Sequence, residues 1–288
     1  MVLESLISLK KAEHSPWDMF FIGLLFASVA IFLSLWIFKD HASLVMVFLT
    51  VMACIPIIHN ALSQEETSDA RIKKERTILK HHTKALLFFI ALFLGITTAF
   101  SIWYVFLPGN LAEVSYATQI ATIKSINSRV LGQSLYSSSI SPSNVYMQIV
   151  SNNLKVLLFC VFFSFFYGAG AIFILAWNAS VIGAAIGTFI RSNMASYASS
   201  IGLVRTAGYF HIFSLGILRY MIHGLPEIAS YFVGALAGGI ISFAVIRHDF
   251  KSKTFKRIMF DSLDLMFISI ALIFIAAFVE VYITPIFF

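Results

Sequence analysis

Residues Trp17–Phe38 read WDMFFIGLLFASVAIFLSLWIF: one acid at the second position, no other charge, and apolar residues on every face. A helix needs about 20 such residues to cross the hydrocarbon core of a bilayer. A helix apolar all round has no face to offer water. This stretch alone places the chain in lipid. It runs on to Phe38, longer than a signal-peptide core, so it reads as an uncleaved first span even though Ser28-Val29-Ala30 resembles a cleavage site.

The remainder of the sequence agrees. Of 288 residues 59% are hydrophobic, 12% are charged and 30 are Phe. An average soluble domain has about 25% charged residues. Ala42–Leu62 is a second span, separated from the first only by Lys39, Asp40 and His41. Ser63–Thr83 is the most polar segment and reads as a solvated helix or linker. Lys84–Leu107 is a third span. Asn110–Ile149 follows as a Ser-rich loop with a short amphipathic helix around Val114–Ile126. Leu154–Trp177 is a fourth span. Asn178–Ile190 is too short to cross alone, and Arg205–Ile222 reads as a re-entrant segment. Pro226–Ile246 spans, and so does part of Ile258–Phe287 after a basic loop, Arg247–Arg257. The expected fold is an all-α polytopic transmembrane helical bundle of about seven spans, six or eight also fitting the pattern, with broken or re-entrant helices. The expected units are an N-terminal hairpin (1–62), a charged linker (63–83) and a transmembrane core (84–288).

Eleven of the 20 Lys and Arg lie in Ser63–Lys84 and Arg247–Arg257. Lys and Arg collect on the cytoplasmic side. The expected protein is therefore a multi-pass protein of the cell membrane with its N-terminus cytoplasmic and its C-terminus outside. No basic stripe with interleaved aromatics argues for nucleic acid. Cys54 and Cys160 lie in apolar runs without metal-ligand spacing and read as small buried hydrophobes.

His223-Gly224-Leu225-Pro226-Glu227 carries two ionisable groups inside the apolar region, where such groups are costly and face an interior or a wet cavity. Pro226 suits the first turn of a helix, so His223 and Glu227 read as the mouth of a broken helix. Asn178 opens the other short segment. Each segment holds a GxxxG pair, Gly183/Gly187 and Gly234/Gly238, a spacing that lets helix backbones approach closely. These faces suggest a homodimer or plain internal packing, and Gly224 a close backbone approach. Glu280 either snorkels to the interface or pairs with the His223–Glu227 region. His211 could join that region if its segment folds back. Asp261 and Asp264 read as acids at the start of the last helix.

Three functions are compatible with this pattern. The first is a channel- or transporter-like protein with an ion or ligand site at Asn178, His211, His223, Glu227 and Glu280. The second is a non-catalytic scaffold that recruits protein partners through Ser63–Thr83 or the outer loop. The third is an intramembrane metalloenzyme on His211, His223 and Glu227, a set short of the usual zinc ligands. Hydrolase, P-loop and dinucleotide motifs are absent, so the sequence leans away from an enzyme, and no cofactor is evident beyond a bound cation.

Asn152-Asn153-Leu154, Gly168-Ala169-Gly170, Trp177-Asn178-Ala179-Ser180 with Gly183, and His223-Gly224-Leu225-Pro226-Glu227 with Ala229 and Gly234 resemble the stage II sporulation protein M family. The resemblance covers roughly Lys84–Phe288. Asn178, His223, Pro226 and Glu227 are the positions that carry it. The N-terminal hairpin and linker lie outside it and look like those of archaeal members. The resemblance implies an integral membrane protein. In spore formers the namesake is a membrane scaffold for cell-wall hydrolases, but no sporulation-specific signal is present here.

Overall fold

The computed structural model describes residues 16–71, 75–125, 141–167, 171–194, 203–247 and 252–287. The Gly168-Ala169-Gly170 run, residues 126–140 of the Ser-rich loop, the small-residue stretch 195–202 and positions 248–251 of the basic loop lie outside the described residues. So do most side chains of the charged linker.

The described chain is helical. α1 is Pro16–Ile37, followed by a 3-10 turn at Lys39–His41. α2 is Ala42–Arg71, α3 Glu75–Phe106 and α4 Gly109–Ser115. Residues 117–125 are again helical. α5 is Pro142–Tyr167, α6 Ala171–Met194, α7 Leu203–Arg247 and α8 Lys253–Phe278. A π turn, Val279–Ile283, leads into a last turn, α9 (Thr284–Phe287). Among the described residues seven helical stretches are long and apolar enough to cross a membrane, within α1, α2, α3, α5, α6, α7 and α8–α9. The chain is an all-α, multi-pass membrane protein.

Pairings across the bundle fix the helix directions. Gly183 lies against Phe100 and Gly187 against Tyr104, so α6 runs parallel to α3. Gly234 lies against Leu157 and Gly238 against Val161, so α7 runs parallel to α5. His223 meets Thr284 and Ser230 meets Ser269, so α8–α9 runs antiparallel to α7. One end of the bundle therefore holds residues 38–41, 107–125 and the entry to α7 (the loop end). The other holds residues 71–75 and the α8 start (the linker end). α7 is the central pillar, touching α2, α3, α5, α6 and α8. Its span is 83% buried, against 28% for α1 and α5 and 22% for α8–α9.

Three boundaries differ from the sequence reading. The expected fourth span is two helices, α5 and α6, so Asn178 sits inside a 24-residue helix and does not open one. The run from Phe159 to Trp177 holds no charged residue to mark the end of α5. Second, Arg205–Ile222 is not re-entrant and Pro226 does not start a helix. Both belong to the 45-residue α7, which runs through Pro226. Proline deletes one backbone hydrogen bond, a loss that a packed membrane helix tolerates. Third, α8 begins at Lys253 and is capped by Ser252, whose Oγ accepts from the Phe255 amide at 3.0 Å. Asp261 and Asp264 therefore lie well inside the helix, and the capping role passes to Ser252.

Small residues set the spacing of the helices. Both GxxxG pairs face helices of the same chain, so those faces are covered and are not free for a second copy. The closest approach is between α1 and α3, a pairing the sequence reading missed. A Cβ on Gly23 would strike the Leu92 carbonyl, and one on Gly95 the Phe20 carbonyl. At Gly224, in contrast, an added Cβ meets nothing within 4 Å, so this glycine serves no close approach.

Candidate functional site

Positions 223, 227 and 231 are four apart on α7 and share one helix face. That face meets α8 and the π turn. His223 Nδ1 is 3.4 Å from Thr284 Oγ1. Tyr231 Oη donates to Glu227 Oε1 at 2.7 Å. Glu280 lies in the π turn, which packs against α7. Glu227 and Glu280 are partly buried. Below them Ser230 and Ser269 face one another at 3.5 Å, both fully buried.

The π turn explains part of this geometry. It holds one more residue per turn than an α-helix and opens the carbonyl ladder. Thr284 Oγ1 donates across the opening to the Val279 carbonyl at 3.1 Å. The irregularity expected of a broken helix thus exists, but on the last span beside Glu280. Glu280 is partly buried on this turn, which packs against the helix that carries His223 and Glu227.

Two expected members stand elsewhere. His211 is exposed, and twelve residues of continuous helix separate it from His223, about 18 Å at helical rise. The trio His211, His223 and Glu227 is not brought together. Among the described residues no three His, Cys, Asp or Glu side chains form a group that could hold a metal ion. Asn178 Nδ2 donates to the Ile174 carbonyl of its own helix at 2.9 Å.

A second polar region, at the loop end, was not read from the sequence. Gln119 is fully buried, and its Nε2 donates to the Ser43 carbonyl at 3.0 Å and to Ser180 Oγ at 3.1 Å. It ties the 117–125 helix to α2 and α6. Tyr116 Oη donates to the Phe100 carbonyl at 2.8 Å. Burial, and after it the neighbouring Tyr104 phenol, push the Tyr116 hydroxyl well above the ordinary tyrosine range, so it remains a donor. Arg191 donates to the carbonyls of Val105 and Leu107 at the end of α3 and lies over the Tyr104 ring at 5.4 Å. A cation there complements the helix dipole. The available signal was a lone Arg at the end of an apolar run, which the sequence reading used only as a boundary.

Residues 84–285 match the family model described as stage II sporulation protein M. The chain belongs to the stage II sporulation protein M family. The match begins just before the α3 span and takes in the whole α7–α8 site. A relative is an uncharacterized protein of Methanocaldococcus jannaschii, 32% identical over 145 residues, which are 49% of this chain and 71% of that one. It supports an archaeal-type member of the stage II sporulation protein M family. No solved structure matches the chain.

Proposed function

We propose that this protein is channel- or transporter-like and holds a cation or a proton between α7 and the last span. The observation that carries the reading is that two partly buried acids lie within the spans, Glu227 on α7 and Glu280 on the π turn packed against it. Two carboxylates near one another in a low-dielectric site repel unless a proton or a cation lies between them. The Thr284 hydroxyl and the His223 ring lie 3.4 Å apart on the same face. The π turn supports the reading, because such turns recur at functional sites. In this reading Glu227 is the titratable or cation-binding group, Glu280 its partner, and Tyr231 holds Glu227 in place. The N-terminus is cytoplasmic, which puts this site toward the outer face.

The test is flux through liposomes carrying the purified protein, with protons and monovalent cations supplied one at a time. The parent protein should conduct one of them, and Glu227→Gln should reduce that flux about tenfold or more, as when a charged ligand is lost. A parent protein that moves none of them removes the transport reading.

A scaffold is the second reading. It rests on α2 and α3, which run on as helices past their spans, to Arg71 and from Glu75. Deleting residues 63–83 should then abolish capture of protein partners while flux, if present, persists.

A further inference from the structure

Lys155 lies in the middle of the α5 span, 13 residues from Pro142 and 11 from Phe166. At helical rise this is roughly 16–20 Å from either end of that stretch. Yet Lys155 is exposed on the outside of the bundle. It does not stand alone. Asn144, Gln148, Ser151 and Lys155 are exposed and follow one another at spacings of four, three and four, which is one face of a helix. This polar track runs from the loop end down to the middle of the span.

The track borders a crevice between α5 and α8. Its upper part, about 400 Å³, is lined by Ser151, Leu154, Lys155, Leu158 and Phe274 among others, with no acidic residue. Its lower part, about 290 Å³, shares Leu154 and Leu158 and continues along Leu157, Val161, Met266 and Ile270. An unpaired cation facing acyl chains costs several kcal/mol by most estimates, which is on the order of the whole stability margin of a domain. Bulk lipid tails suit the lower crevice but leave the ammonium unsolvated. A ligand with an anionic head and an apolar tail suits both parts.

We propose that the α5–α8 crevice binds an anionic membrane lipid. Its head group descends the Asn144–Gln148–Ser151 track to Lys155, and an acyl chain lies along Leu157 and Met266. The charge on the lipid neutralises Lys155, as an acidic side chain would in a helix–helix contact. The site is separate from the Glu227 site and does not depend on it.

The experiment is native mass spectrometry of the full chain released from vesicles of equal phosphatidylglycerol and phosphatidylcholine. The parent protein should retain phosphatidylglycerol in preference. Lys155→Gln should lower that retention on the order of tenfold, the loss expected for one charged hydrogen bond, and Lys155→Arg should restore it. Leu158→Trp, which fills the shared wall of the crevice, should displace both lipids without regard to charge. Equal retention of the two lipids by the parent, or an unchanged preference in Lys155→Gln, overturns the proposal. So does a disulfide between copies carrying Ser151→Cys in the vesicle, which would make this face an interface between two chains. The native cysteines, Cys54 and Cys160, are both buried, so the introduced thiol is the reactive one.

Discussion

The Tyr231 hydroxyl donates to Glu227 Oε1 across one turn of α7, at 2.7 Å. The carboxyl is thus anchored from its own helix, not across the α7–α8 contact. Stability and ion handling can then be separated by substitution. Tyr231→Phe keeps the ring but leaves a partly buried acid without this donor, a loss of about 1–3 kcal/mol. Glu227→Gln keeps an oxygen that accepts from Tyr231 and removes only the charge. Thermal unfolding in detergent should show the first variant clearly less stable than the parent and the second close to it. Equal destabilisation would mean that the charge itself holds the fold.

The glycines predict a graded series. Gly95→Ala drives a Cβ into the Phe20 carbonyl, and Gly23→Ala into that of Leu92. Backbone cannot rotate away as a side chain can, so each should cost at least the 1–3 kcal/mol typical of overpacking, roughly. Gly224→Ala meets open space inside a helix and should gain up to about 1 kcal/mol from helix propensity. Melting temperatures of the three variants check the order. A destabilised Gly224→Ala would show that α7 needs bending freedom beside Pro226.

Arg191 predicts a third outcome. Its guanidinium serves two carbonyls at the α3 end, Val105 and Leu107, and covers the Tyr104 ring. Arg191→Ala should cost about 1.5–3 kcal/mol, the range for hydrogen bonds to a charged group. Lys lacks the planar fork, so Arg191→Lys should recover only part of the loss. Limited proteolysis of the loop after α3, with and without each substitution, reads the effect where it occurs.

Much of this was visible in the order of residues. Length of apolar run is a strong signal in lipid, and it placed the spans within α1, α2 and α3 to a few residues and the span count at seven, though not the helical extensions of α2 and α3 beyond them. His223 and Glu227 stood out because charges are rare there. What failed was punctuation. Gly224 and Pro226 would end a soluble helix, but a helix held by neighbours on several sides keeps going. Trp177-Asn178 looked like a boundary, whereas α5 ends at Tyr167 and α6 begins at Ala171, in a run as apolar as the spans. Glu280 was legible as an oddity, but its π turn was not, because no residue type announces one. Gln119 and Lys155 escaped because an isolated polar residue has meaning only through what surrounds it.

The contacts of Gly23 with Leu92 and of Gly95 with Phe20 have a bearing on how the molecule is assembled. α1 lies outside the segment that defines the family, yet its backbone rests directly on the backbone of α3, inside it. Stripped of α1, that side of α3 would present a bare main-chain furrow shaped to receive another helix. The N-terminal hairpin fills in cis a seat that would otherwise be open to a helix supplied in trans, and a copy lacking residues 1–62 should accept the hairpin back as a separate peptide.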